Sequence, residues 1–145
     1  MFYVDTSLLA AYYCPEALSE KAEIFLTTHS PLFISTLTEL EMFSAMSRKV
    51  RGKELNRATA SRILAKFLSH LDGRFYHCFS VETPHIRLAR DWIGQFNTSL
   101  KSLDALHLAV TSLEGLKLVT ADRDLAESAK ILAMDVMLIE TGESE

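Results

Sequence analysis

Short apolar runs alternate along this chain with longer stretches in which apolar residues recur every three or four positions. Phe2–Asp5, Leu32–Ser35, Phe75–Val81, Leu116–Thr120 and Val136–Ile139 have the length and composition of strands. After the first run, LLAAYY predicts a short helix that breaks at Pro15. A second helix runs to about Thr28, with Leu18, Ala22, Phe25 and Leu26 on one face, and His29-Ser30-Pro31 returns the chain to an extended path. Thr38 to about Val50 reads as helix, with Gly52 at its end. The next helix is the clearest: Ala60, Ile63, Leu64, Phe67, Leu68 and Leu71 repeat at helical spacing and Gly73 stops them. Thr83-Pro84 starts another, with Ile86, Ala89, Trp92, Ile93 and Phe96 as its buried stripe. Asp104 opens a helix, ALHLAVTSL, that ends at Gly115, and Asp122 opens the last one.

Strands alternating with helices imply right-handed crossovers, hence an α/β chain folded as a three-layer α/β/α sandwich with a five-stranded, mostly parallel sheet. No linker, repeat or low-complexity segment divides the 145 residues. The expectation is one domain over residues 1–139, with a short frayed tail at 140–145. A hydrophobic content of 48% with 23% charged residues is ordinary for a globular core and argues against disorder. The Met and Phe residues read as part of that core. No apolar run reaches the ~18–20 residues of a membrane span, and no basic flank precedes the first strand, as a signal peptide would require. Cys14 and Cys78 have neither metal nor redox spacing and read as reduced thiols of a cytoplasmic protein.

Charge changes the picture. The net charge is −4, yet seven of the fifteen basic residues lie between Arg48 and Lys66: Arg48, Lys49, Arg51, Lys53, Arg57, Arg62 and Lys66. Only Glu54 opposes them, so this stretch carries +6 and the remainder −10. Such a block can hold phosphates on an otherwise acidic protein, or it can be a solvated helical surface.

Four acidic residues carry the chemistry: Asp5, Glu41, Asp104 and Asp122. Each sits where a helix begins, and a parallel sheet gathers such points along the carboxyl ends of its strands. Capping explains each one singly, since Asp is a favoured N-cap and Glu41 follows Thr38 in a T-x-x-E capping box. Ser, Thr or Asn would cap equally well, however. Four carboxylates at one edge repel one another unless a hard cation such as Mg²⁺ or Mn²⁺ is bound, and such ions prefer oxygen ligands. A hydroxyl beside Asp5 can orient that carboxylate or cap the helix, and Ser7 is preferred over Thr6 for the former role. His107, three residues after Asp104, makes a D-x-x-H face that could bind zinc, but no second His or Cys has partner spacing. It reads instead as a histidine packed among Leu103, Leu106 and Val110.

The segments FYVDTSLLAAYY, ISTLTELE, SLDALHLA and LVTADRDLAESA resemble, in order, the sequence blocks of PIN-domain ribonucleases, nearest to VapC-type toxins of toxin–antitoxin pairs. The resemblance runs from Phe2 to about Ile139. It implies a PIN-like fold and a Mg²⁺- or Mn²⁺-dependent endoribonuclease with Asp5, Glu41 (rather than Glu39), Asp104 and Asp122 as catalytic and metal-binding residues. It also implies a homodimer and neutralisation by a cognate VapB-like antitoxin. The family is less regular at Asp124, which stands open between an auxiliary metal ligand and a first-turn dipole complement.

The expected chemistry is hydrolysis of RNA phosphodiester bonds, with Glu41 accepting a proton from the attacking water. Arg48, Lys49, Arg51, Lys53 and Arg57 are the expected RNA-binding residues. They would hold phosphates without reading sequence. Two rivals remain. An Asp-based phosphotransfer enzyme would also place Asp after a first strand, but its nucleophile should be followed two residues on by a second Asp, where this chain has Ser7. A non-catalytic RNA- or protein-binding module would not need all four carboxylates.

Overall fold

The computed structural model describes residues 1–141. Its elements alternate: β1 (Phe2–Val4), α1 (Thr6–Tyr13), α2 (Ser19–Thr28), β2 (Leu32–Ser35), α3 (Thr36–Arg51), α4 (Arg57–Asp72), β3 (Tyr76–Phe79), α5 (Thr83–Ile93), α6 (Ser102–Leu113), β4 (Lys117–Thr120), α7 (Arg123–Ile131) and β5 (Val136–Leu138). The strands form one parallel sheet in the order β3-β2-β1-β4-β5. This is the expected three-layer α/β/α architecture.

Strand residues alternate between the two faces, and both faces are apolar because both are covered. Val4, Leu32, Ile34, Tyr76 and Val119 pack with α1, α2, α3 and α4 through Leu8, Phe25, Leu26, Met42, Met46 and Phe67. Tyr3, Phe33 and Leu118 point the other way, to α5, α6 and α7, where Trp92, Leu108, Val110 and Leu125 receive them. The chain moves outward from β1 through β2 to β3, then returns to the far side of β1 with β4 and β5. The strand order therefore reverses between β1 and β4. The carboxyl ends of a parallel sheet open into a crevice at such a reversal.

Local chemistry corrects several expectations. Helix α3 starts at Thr36, not Thr38, because Ser35 is its N-cap and the Ser35 N–H donates to Thr38 Oγ1 at 3.2 Å. Glu41 is therefore no capping-box member. Helix α6 starts at Ser102 after Lys101, which places Asp104 in the first turn rather than at the cap. The inner stripe of α5 keeps the expected Ala89, Trp92 and Ile93 but not its two ends, Ile86 and Phe96. His85, Leu88, Ala89 and Trp92 face inward, while Ile86 is 53% exposed. The helix ends at Gly94, and Phe96 lies beyond it at φ 57, 91% exposed. Met1, Phe43 and Phe75 are also exposed, so not every Met and Phe is core.

The chain stays docked past β5: Ile139 N–H donates to Thr120 O at 2.8 Å, and Glu140 is held by Lys21 and Arg123. Of the expected tail, residues 142–145 lie outside the described residues. Among those described, no helix is long and apolar enough to cross a membrane.

Candidate metal centre at the sheet edge

The strand reversal brings four sequence-distant points to one crevice. Asp5 follows β1 and caps α1; Asp122 follows β4 and caps α7. Glu41 comes from the second turn of α3 and Asp104 from the first turn of α6. All four line one cavity of about 480 Å³, together with Thr6, Ser7, Arg48 and the apolar rim residues Leu40 and Leu103.

Hydrogen bonds divide the oxygens of three of these carboxylates. Asp5 Oδ2 accepts from Ser7 Oγ at 2.6 Å and Thr120 Oγ1 at 2.8 Å, with the Ser7 N–H more distant at 3.4 Å. Asp122 Oδ1 accepts from the backbone N–H groups of Asp124 at 2.9 Å and Leu125 at 3.2 Å. Glu41 Oε1 accepts from Thr6 Oγ1 at 2.7 Å and meets His107 Nε2 at 2.5 Å. In each case one oxygen accepts the hydrogen bonds and its twin accepts none from the described residues. Asp104 makes no side-chain hydrogen bond among the described residues. Capping and a second role thus share a carboxylate instead of competing for it.

Thr6 and Ser7 act on different carboxylates, Thr6 on Glu41 and Ser7 on Asp5. Ser7 also accepts the Ala121 N–H at 3.0 Å, and Thr120 Oγ1 accepts the Asp122 N–H at 2.9 Å. The ends of β1 and β4 are stitched together by these two hydroxyls. Thr120 is fully buried and escapes a reading of the sequence alone, although it is a polar residue closing an apolar strand.

His107 departs most from its expected role. It is fully buried, but Leu103, one turn earlier on the same helix, is 47% exposed and belongs to the cavity rim. The imidazole lies between the Tyr3 hydroxyl, 2.6 Å from Nδ1, and Glu41. Asp5 Oδ1 is 3.9 Å from Nε2. Burial disfavours the charged ring, yet Tyr3, the Glu41 hydrogen bond and the Asp5 charge outweigh it and raise the pKa to about 10. The detectable sequence signal is a polar residue at an inward position of ALHLAV.

The carboxylates respond in opposite directions. Burial pushes Glu41 up, but the hydrogen bond and charge of His107, the Thr6 hydroxyl and Arg48 together hold it below its ordinary value. Burial raises Asp104, and Asp5, Asp122 and Glu41 raise it further, with His107 only partly opposing them. Asp104 therefore carries the unrelieved repulsion of the cluster. An all-oxygen donor set under mutual repulsion fits a hard divalent cation. Ligand atoms of Asp5, Glu41 and His107 lie within 4.8 Å of one another, but His107 Nε2 is already engaged with Glu41. Asp5 and Glu41 remain as the oxygen donors of that group, and Asp104 and Asp122, which line the same cavity, could join them around an ion.

The basic block divides in space. Arg48 lines the acidic cavity. Arg51 and Arg57 line a separate groove between α3 and α4 with Phe43, Met46 and Leu64. Lys49 pairs with Glu54 at 3.5 Å, and Lys53 sits in the exposed turn after α3. Asp124 is exposed and is not among the residues lining the cavity.

A family model described as PIN domain matches residues 2–131. No curated protein matches the sequence. Among solved structures, the chain is similar to the sarcin-ricin-loop-cleaving toxin VapC20 of Mycobacterium tuberculosis, at 20% identity and a TM-score of 0.72, covering 88% of this chain and 95% of that one. It is also similar to PAE2754 from Pyrobaculum aerophilum, at 25% identity and a TM-score of 0.66, over 97% of this chain and 83% of that one. The DNA-bound VapBC of Salmonella typhimurium matches at 15% identity and a TM-score of 0.65, over 97% and 98%.

Proposed function

The chain belongs to the PIN domain family, and from that premise we propose that it is a metal-dependent endoribonuclease, the toxin of a VapBC-type toxin–antitoxin pair. The observation that carries this reading is the shared cavity: four carboxylates from four separate elements line it, three of them with one oxygen hydrogen-bonded and the other accepting no hydrogen bond from the described residues. Capping alone does not account for the set, because Glu41 and Asp104 do not cap at all. Asp5, Glu41, Asp104 and Asp122 would hold Mg²⁺ or Mn²⁺. When bound, such an ion lowers the pKa of a water and neutralises charge developing on the phosphate.

The chain's own residues do the rest. Ser7 and Thr120 fix the Asp5 carboxylate, and the first turn of α7 fixes that of Asp122. Glu41, with one oxygen taken and its pKa held down, suits a ligand better than the proton acceptor expected from sequence alone. Arg48 supplies a cation at the wall of an otherwise acidic cavity, where a backbone phosphate must approach. Arg51 and Arg57, in the separate groove between α3 and α4, together with Lys49 and Lys53 would add sequence-neutral phosphate contacts.

VapC20 is described as cleaving the sarcin-ricin loop, and a VapBC complex is among the similar structures. Both support an RNA substrate and a VapB-like protein partner for this chain. A homodimer and a cytoplasmic setting belong to the same reading, and Asp124 is then a dipole complement before it is an auxiliary ligand.

The test is RNA cleavage by the purified chain. EDTA should abolish it and added Mn²⁺ should restore it. Cleavage that persists in EDTA would refute the metal-dependent reading. An intact fold that binds RNA but never cuts it with either ion would favour the non-catalytic module.

A further inference from the structure

Beneath the carboxylate cavity runs a buried hydrogen-bond chain whose members come from β1, the start of α3, and α6. Tyr3, Ser35, Thr38 and His107 are all fully buried. The Tyr3 hydroxyl lies 2.8 Å from Ser35 Oγ, 3.3 Å from Thr38 Oγ1 and 2.6 Å from His107 Nδ1. The opposite ring nitrogen, Nε2, meets Glu41 Oε1 at 2.5 Å, and Thr6 Oγ1 donates to that same oxygen at 2.7 Å. Packing alone would be served by Phe and Leu at positions 3 and 107. A buried polar chain is retained at a cost unless every member is satisfied, and no buried side-chain polar atom among the described residues is without a partner.

We propose that Tyr3 and His107 are positioning residues that fix Glu41 as a one-oxygen ligand, clamping Oε1 and turning Oε2 toward the cation. This rests on the reading of the cavity as a divalent-cation site. The clamp works in either protonation state of the ring. Nε2 faces a carboxylate oxygen, so it carries a hydrogen in both forms. With a neutral ring, Tyr3 donates to Nδ1; with a charged ring, Nδ1 donates to Tyr3. Glu41 needs this clamp more than its neighbours do. Asp5 and Asp122 are short side chains tied to their own first turns, whereas Glu41 reaches from the second turn of α3 on a longer stem with no backbone anchor. The geometry also argues against His107 as a ligand itself. Two ligand atoms each about 2.0–2.2 Å from one ion stand about 3 Å apart at ordinary coordination angles, and Nε2 and Oε1 are closer than that.

The test measures Mn²⁺ affinity by electron paramagnetic resonance on metal-stripped protein. His107→Leu should weaken binding about 10- to 100-fold. His107→Gln, which keeps an N–H donor, should recover part of that loss, and Tyr3→Phe should show a smaller drop with the ring packing retained. In a Glu41→Gln background, His107→Leu should cost less than about twofold more, because the residue it acts through is already lost. Equal losses for His107→Gln and His107→Leu, or losses that multiply in the double variant, would overturn the proposal. If His107→Leu does not fold, the Tyr3→Phe series decides by the same comparison. A second readout needs no metal. Nitrogen-edited NMR of the metal-free protein should show a solvent-protected His107 Nε2–H resonance that moves in Glu41→Gln. Its absence overturns the clamp even if the protein binds Mn²⁺. Its presence in a protein that never cuts RNA would leave the clamp standing and remove the nuclease reading.

Discussion

Two tyrosine–histidine pairs sit in different parts of this molecule. The Tyr3 hydroxyl meets His107 Nδ1 at 2.6 Å, and the Tyr13 hydroxyl meets His70 Nδ1 at 2.6 Å. The two pairs differ in their next neighbour. His107 leads to Glu41 and stands near Asp5, beneath the sheet-edge crevice. Tyr13 leads to Tyr76, 2.7 Å away, among the rings of Phe67 and Phe75. The ring charges diverge accordingly. His107 is raised to about 10 against its burial, whereas His70 is lowered, by burial first and by Lys66 second. Burial also raises the Tyr13 phenol. The same donor–acceptor pair is thus the base of a charged site in one place and a neutral core staple in the other. The third partner decides which.

The contrast can be broken most sharply at the carboxylates. Asp104→Asn should reduce RNA cleavage by at least about 100-fold, the scale of losing a group around a metal, while circular dichroism shows an unchanged fold. Cleavage at the wild-type rate would remove Asp104 from the site. Next comes the staple: His70→Leu should leave Mn²⁺ affinity unchanged within about twofold. It should lower the melting temperature by about 2–4 °C, the shift that a net loss of roughly 1 kcal/mol of hydrogen bonding gives in a domain of this size. A loss of Mn²⁺ binding comparable to that of His107→Leu would erase the distinction between the two pairs.

Smaller effects sharpen the same picture. Arg48→Glu should weaken RNA binding and reduce the slope of log affinity against log salt by about one phosphate contact. Arg51→Glu tests the neighbouring groove in the same way, and an unchanged slope for both would take α3 out of the RNA interface. The smallest effect concerns stability without metal. Asp104 carries the repulsion of Asp5 and Asp122. Asp104→Asn should therefore raise the melting temperature of the metal-free protein by about 1–3 °C. A lower melting temperature would mean that Asp104 is held by a favourable contact and not by repulsion.

The architecture is legible in the sequence because strand-length runs and helical repeats alternate, and Leu32–Ser35 even matches its predicted limits. The convergence of Asp5, Asp104 and Asp122 follows from where helices begin on a parallel sheet, and Glu41 joins them from the second turn of α3. Side-chain direction is what escapes. Spacing alone cannot tell that Ser35 rather than Thr38 begins α3, so Glu41 resembles a cap in sequence. It cannot tell that His85 turns inward and Ile86 outward on α5, because His85 is retained by the Glu82 N–H and Glu114. His107 reads as packing because one histidine among leucines is usually that; its partners, Tyr3 and Glu41, are 104 and 66 residues away in sequence. The even run of positive charge from Arg48 to Lys66 likewise hides that Arg48 faces the crevice while Arg51 and Arg57 face a different groove.

Whether the four carboxylates form one divalent-cation site is tested most directly by titration calorimetry of Mn²⁺ into metal-stripped wild type and Asp104→Asn. A shared site predicts saturable binding to the wild type and loss of at least about tenfold in affinity in the variant, with both proteins equally folded. Equal Mn²⁺ affinity in the two proteins would contradict it.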